Sequence, residues 1–144
     1  SDRRVLVLSV SSLHPEVKSR VDWLAEVARL NHIPVTFTSY GRSAANQAAL
    51  RNNFDECVAR GLYPSSASLF PGYTCKYPAN RPGDSAHEYG LAFDSSVPPE
   101  WLPVWTALRQ FAGFSVLDEN GDPIHAEVPA WRAIRDAGIV QPIP

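Results

Sequence analysis

The chain has 144 residues, a length that suits one domain able to bury a core of its own. Hydrophobic residues make up 44%, charged residues 19% and the formal net charge is −2, which is ordinary for a globular domain and speaks against a nucleic-acid partner. No apolar run approaches the length of a membrane span.

In chain order, Val5-Leu6-Val7-Leu8 after Arg3-Arg4 superficially resembles a signal peptide. The run is too short and leads into a charged helix rather than a cleavage site, so Val5–Val10 is expected to be a strand or extended arm. Pro15 suits a first helical turn. Val17, Val21, Leu24 and Ala28 then recur at helical spacing, widened by Trp23, Val27 and Leu30, to an end near Asn31. Pro34–Ser39 alternates like a strand. Ser43 is a candidate N-cap for a second helix whose buried side would be Ala45, Ala48, Ala49, Phe54 and Val58, with Gly61 as its stop. Residues 62–83, rich in Gly, Pro, Ser and Tyr, predict a long ordered loop of the kind that is often functional. Tyr63, Phe70, Tyr73 and Tyr77 on it either line a substrate cleft or tuck onto the loop's own core.

Leu91–Asp94 reads as a strand. Pro98-Pro99 opens a third helix carrying Trp101, Val104, Trp105, Leu108, Phe111 and Ala112. Phe114–Leu117 and Ile124–Val128 flank the turn residues Glu119-Asn120-Gly121-Asp122 and form a hairpin. A short helix over Pro129–Ala137 ends at Gly138. No repeat or linker interrupts this order, so residues 1–144 are expected to form a single domain. Helices and short strands mix without regular βαβ alternation. The expected fold class is α+β, a small antiparallel sheet packed by three to four helices. Cys57 and Cys75 lack zinc-ligand spacing to another Cys; they are expected as unpaired thiols, with a disulfide the alternative outside a reducing compartment.

Two segments carry chemistry. In the first, His87 and Asp94 stand seven residues apart around Gly90. Alternate strand residues share a face. Gly90, Ala92 and Asp94 would therefore clear one side for a carboxylate, while Leu91 and Phe93 anchor the other in the core. In the second, Ile124, Ala126 and Val128 take one face and His125 and Glu127 the other, with Asp122 at the mouth of the strand. Hydrolytic zinc takes about three N/O protein ligands, an open position and usually a nearby carboxylate base. The two segments can supply that set. Glu127 would either orient His125 or form a surface ion pair, and Glu88 is expected to be solvated. His14 and His32 have no acidic partner at useful spacing and are not expected to be ligands.

Ser85-x-His87-x-x-Gly90-x-Ala92-x-Asp94, followed by Asp122-x-x-His125, resembles the zinc D-Ala-D-Ala peptidases, the group of vancomycin-resistance D,D-peptidases and phage L-alanyl-D-glutamate endolysins whose fold the Hedgehog signalling domain shares. Tyr40-Gly41-Arg42-Ser43 with Gln47 and Leu50 resembles that family's upstream segment, and Pro82-Gly83-Asp84-Ser85 its lead-in to the first metal segment. The likeness spans about residues 35–130. It implies that His87, Asp94 and His125 bind one zinc ion. It further implies that Asp122 is the general base and that Arg42 polarises the scissile carbonyl or stabilises the oxyanion. A guanidinium aimed at developing negative charge suits that last role. The chain departs from many members in carrying Asp rather than Glu at position 122, as phage endopeptidases of this type do.

The resemblance therefore implies a zinc metallopeptidase acting on peptidoglycan stem peptides at the bacterial cell wall. An L-alanyl-D-glutamate endopeptidase of phage-lysin type is the first expectation, with phage virion proteins as possible partners. D-alanyl-D-alanine carboxypeptidase action is the alternative. A reading from another class is a zinc-bearing virion module for structure or binding. It would need only the ligands, whereas turnover needs Asp122 and Arg42 as well.

Overall fold

In a computed structural model the chain is described over residues 8–117 and 122–144, with Leu117 and Asp122 described by their backbone only. Helix α1 is Pro15–Leu30; His14 caps it, its Nδ1 accepting the Glu16 N–H at 3.3 Å. Val17, Val21, Leu24 and Ala28, three and four residues apart, form its buried stripe. Trp23 and Leu30, expected to widen that stripe, are exposed. Strand β1 is Thr36–Ser39 and helix α2 is Ala44–Ala59, with Ser43 Oγ accepting the Asn46 N–H at 3.1 Å. A 3-10 turn, Ala86–Tyr89, leads to strand β2, Ala92–Ser96. A second one, Pro99–Trp101, opens helix α3, Leu102–Phe111. Strands β3, Ser115–Leu117, and β4, Asp122–Glu127, and helix α4, Trp131–Asp136, complete the order.

The expected α+β class is what forms. Among the described residues one antiparallel sheet runs β1-β2-β4-β3, so the two strands bearing the candidate ligands are its central neighbours. Phe93 and Ala126 on its inner face pack with Leu24, Trp105 and Phe114 in the core. No described helix is long and apolar enough to cross a membrane.

Several expectations need correction. The arm expected over Val5–Val10 lies mostly on residues 1–7, outside the described part, and its last residue begins a 3-10 turn, Val10–Ser12. The expected hairpin turn at 119–121 also lies outside it. Phe111 is 80% exposed, its ring tilted against Trp23 at a centroid distance of 5.8 Å, because it falls off the α3 face that buries Trp105 and Arg109. The buried face of α2 is Asn46, Gln47, Asn53 and Cys57, not the apolar set expected; Ala45 and Val58 are exposed. The reason is what α2 packs against. Residues 62–83 form neither helix nor strand, and their backbone carbonyls need donors. Gln47 Nε2 donates to Asn80 O at 2.7 Å, Arg51 Nη1 to Ala79 O at 3.0 Å and Asn53 Nδ2 to Thr74 O at 3.0 Å. Cys57 and Cys75 are joined in a disulfide with Cα atoms 5.5 Å apart, which ties the same loop to the same helix. They are not the free thiols expected. Of the loop's aromatics, Tyr63 packs edge-on to Phe54 and Tyr73 is buried, while Tyr77 is exposed.

Candidate metal centre

Asp94 on β2 and His125 on β4 are directly opposite each other in the ladder. Cross-strand partners on one face are close enough for their side chains to meet, and His125 Nδ1 lies 3.1 Å from Asp94 Oδ1. His87 arrives from outside the sheet. It sits in the 3-10 turn that Gly90 terminates in the left-handed conformation, φ 69°. A Cβ at Gly90 would also stand 2.6 Å from His14 N and 3.1 Å from Ser12 O, so both its conformation and its neighbours select glycine. The turn brings His87 Nε2 to 3.2 Å from the same Oδ1 of Asp94.

The three ligand atoms of His87, Asp94 and His125 lie within 4.8 Å of one another. Each imidazole uses its other nitrogen on an acceptor: His87 Nδ1 is 2.6 Å from Tyr40 O, and His125 Nε2 is 2.8 Å from Glu127 Oε1. Those partners take the ring N–H and leave His87 Nε2 and His125 Nδ1 as lone pairs aimed at the Asp94 carboxylate. Two lone pairs and a carboxylate oxygen converging on one point repel unless a cation lies among them. Two nitrogens and one oxygen match a zinc ion with one position left open. The donor set fits the metal.

Without a metal, protons take up that convergence. Burial works against charge on His125, yet hydrogen bonds and charge from Asp94 and Glu127 outweigh it and raise its pKa to about 9. Burial likewise opposes ionised Asp94, but His87 and His125 hold its carboxyl well below the usual carboxylate range.

Arg42 belongs to the same assembly. The segment 40–42 clasps the first candidate ligand from two sides: Tyr40 O accepts from the His87 ring, and Arg42 N–H donates to His87 O at 2.9 Å. Its guanidinium is oriented by Gln47 Oε1 on Nη1 at 2.9 Å and Ser39 Oγ on Nη2 at 3.3 Å. Burial lowers its pKa, opposed by the nearby charges of Asp94 and Glu88. Glu88 is not solvated as expected. It is 2% exposed and accepts the N–H groups of Gly83 and Ser85 at 2.8 and 3.1 Å, pinning the lead-in to His87. Glu127 bonds His125, the first of its two sequence readings. Asp122 opens β4 three residues before His125, but its side chain lies outside the described residues. The grip of Tyr40 O and the turn held by Glu88 were missed from sequence. A backbone carbonyl leaves no motif, and the only sequence trace of Glu88's role is its place three residues after Ser85.

Solved structures with a similar fold include an LD-carboxypeptidase and a D,D-pentapeptidase. The chain matches LdcB, an LD-carboxypeptidase whose structure concerns peptidoglycan recognition, at TM-score 0.58 and 20% identity over 96% of this chain and 78% of that one. It matches VanYB in complex with D-alanine-D-alanine at 0.59 and 19% over 96% and 85%. It matches a variant of the vancomycin resistance D,D-pentapeptidase VanY in complex with Zn(II) at 0.53 and 19% over 88% and 79%. No protein-family model matches the chain, and no curated protein does. At this identity the likeness defines a shared fold, and it agrees with the resemblance read from the two sequence segments.

Proposed function

We propose that this protein is a zinc metallopeptidase that hydrolyses peptidoglycan stem peptides. The observation that carries the proposal is the convergence of His87, Asp94 and His125, each histidine held by an acceptor on its far nitrogen. Support comes from the fold shared with LdcB and VanYB.

In this reading His87 Nε2, Asp94 Oδ1 and His125 Nδ1 hold the zinc. When bound, the ion supplies a Lewis acid that polarises a carbonyl and acidifies water to a pKa of about 7. The Asp122 carboxylate accepts the proton of the attacking water and returns it to the leaving amine. Arg42, held by Gln47 and Ser39, directs its guanidinium at the oxyanion that develops on the scissile carbonyl. Glu127 keeps the His125 ring in its ligating tautomer.

The preferred bond is L-Ala-D-Glu, cut by an endopeptidase, because Asp replaces the more usual Glu at position 122. The phage-lysin setting rests on that residue alone. A second reading, carboxypeptidase action at a terminal D-alanine, is favoured by the LD-carboxypeptidase and the D-alanine-D-alanine complex among the structural neighbours. A metal-bearing module without catalysis would have no use for an oriented Arg42. Digestion of purified peptidoglycan, with the new termini identified, separates these readings. New N-terminal D-Glu supports the endopeptidase, freed D-Ala the carboxypeptidase, and no product at one bound zinc the inert module.

A further inference from the structure

Arg109 is a cationic side chain with 0% exposure in α3, one turn after Trp105. Burying a guanidinium is unfavourable unless its donors are met, so where they go indicates its task. Nη1 donates to the backbone carbonyl of Pro123 at 2.8 Å, Nη2 to Thr106 Oγ1 at 3.3 Å and Nε to Trp105 O at 3.4 Å. Pro123 lies where β4 leaves register with β3. Val116 pairs with Ala126 but Leu117 with Asp122, so residues 123–125 are extra on β4. A bulge re-aims the chain where it occurs, and this one lies between Asp122 and Ala126 and contains His125. Proline has no N–H with which to anchor the bulge, so its carbonyl is the handle. From the same helix, Trp105 Nε1 donates to Ser95 Oγ at 2.9 Å, next to Asp94. One face of α3 thus grips the backs of both ligand strands.

We propose that Arg109 is a positioning residue that, by holding the Pro123 carbonyl, sets the backbone spacing between Asp122 and His125. The inference rests on the hydrolase reading above for its catalytic consequence, though not for its structural one. The test compares Arg109→Met and Arg109→Lys with the parent protein, each loaded with zinc. For Arg109→Met we expect one zinc retained, KM within about twofold and kcat lowered by about 10²-fold, the effect of a small misplacement of a catalytic group. Lysine, with one donor able to reach the carbonyl, should recover about tenfold of that loss. Amide exchange at residues 124–126 should quicken in Arg109→Met while exchange in α1 stays unchanged. If Arg109→Met does not fold, Thr106→Val, which removes one acceptor of the guanidinium, should give the same pattern in smaller measure. A variant with a lower Tm but unchanged kcat and unchanged exchange at 124–126 overturns the proposal, and so does loss of zinc. If the parent hydrolyses no peptidoglycan, the functional reading fails, and the exchange measurement still decides whether Arg109 holds the bulge.

Discussion

Glu127 Oε1 lies 2.8 Å from His125 Nε2, two residues along the same strand face. The strand period alone makes them neighbours, and the contact decides which imidazole nitrogen is free for a metal. Glu127→Ala should therefore weaken zinc binding by about 10–100-fold without removing a ligand. Glu127→Gln, whose amide oxygen still accepts the N–H, should fall between. A chelator competition titration measures both, and unchanged affinity in Glu127→Ala would count against the orienting role.

The proton balance of the metal-free site gives a pH dependence with a definite sign. The folded pKa of His125 is raised to about 9, from an ordinary value of about 6.5. Its contribution to stability is fully present below about pH 6.5 and is lost as pH rises through about 9. Asp94 is depressed, so its contribution is present above about pH 4 and lost as pH falls further. Chelator-treated protein should thus lose Tm between about pH 6.5 and 9. Zinc affinity should climb over the same range, because a ligating histidine must be neutral. Parallel melting and zinc titrations across that range check both slopes, and a Tm that rises there would refute the account.

Asp122→Ala should keep one equivalent of zinc and lower kcat by about 10²–10⁴-fold, the usual contribution of a general acid–base group. Metal analysis beside product release is the measurement. Loss of metal together with activity would place Asp122 among the ligands instead.

Arg42 predicts a different signature. In the proposed mechanism Arg42→Ala removes a donor directed at the transition state, so kcat should fall by about 10²–10³-fold with KM little changed. Gln47→Ala, which frees the guanidinium from its 2.9 Å partner, should give a smaller loss of the same kind. An effect confined to KM would show that Arg42 only binds substrate.

Replacing Cys57 and Cys75 by Ser should destabilise the fold by about 3 kcal/mol, the loop-closure value for a span of this length. Zinc affinity should stay the same, since no ligand lies on that loop. Denaturant unfolding with and without reductant is the check.

Local rules made much of this molecule legible from sequence. The 3.6-residue period located α1 and its buried stripe, and strand alternation placed Asp94 and His125 on the sheet face opposite the core residues Phe93 and Ala126, because such patterns express one face against one core. The grouping of His87, Asp94 and His125 as candidate ligands was legible because metal chemistry restricts residue type and spacing. Tertiary structure alone decided whatever depends on the partner surface. The buried face of α2 is polar because irregular backbone lies against it, a demand absent from the helix's own residues. Cys57 and Cys75 pair because α2 and the loop bring them within bonding distance. Tyr40 clasps His87 through a carbonyl that every residue type possesses. Sequence thus determined which groups could hold a metal. Only the folded chain determined how they are held, because orientation comes from backbone carbonyls, strand register and buried partners such as Arg109 that lie far away along the chain.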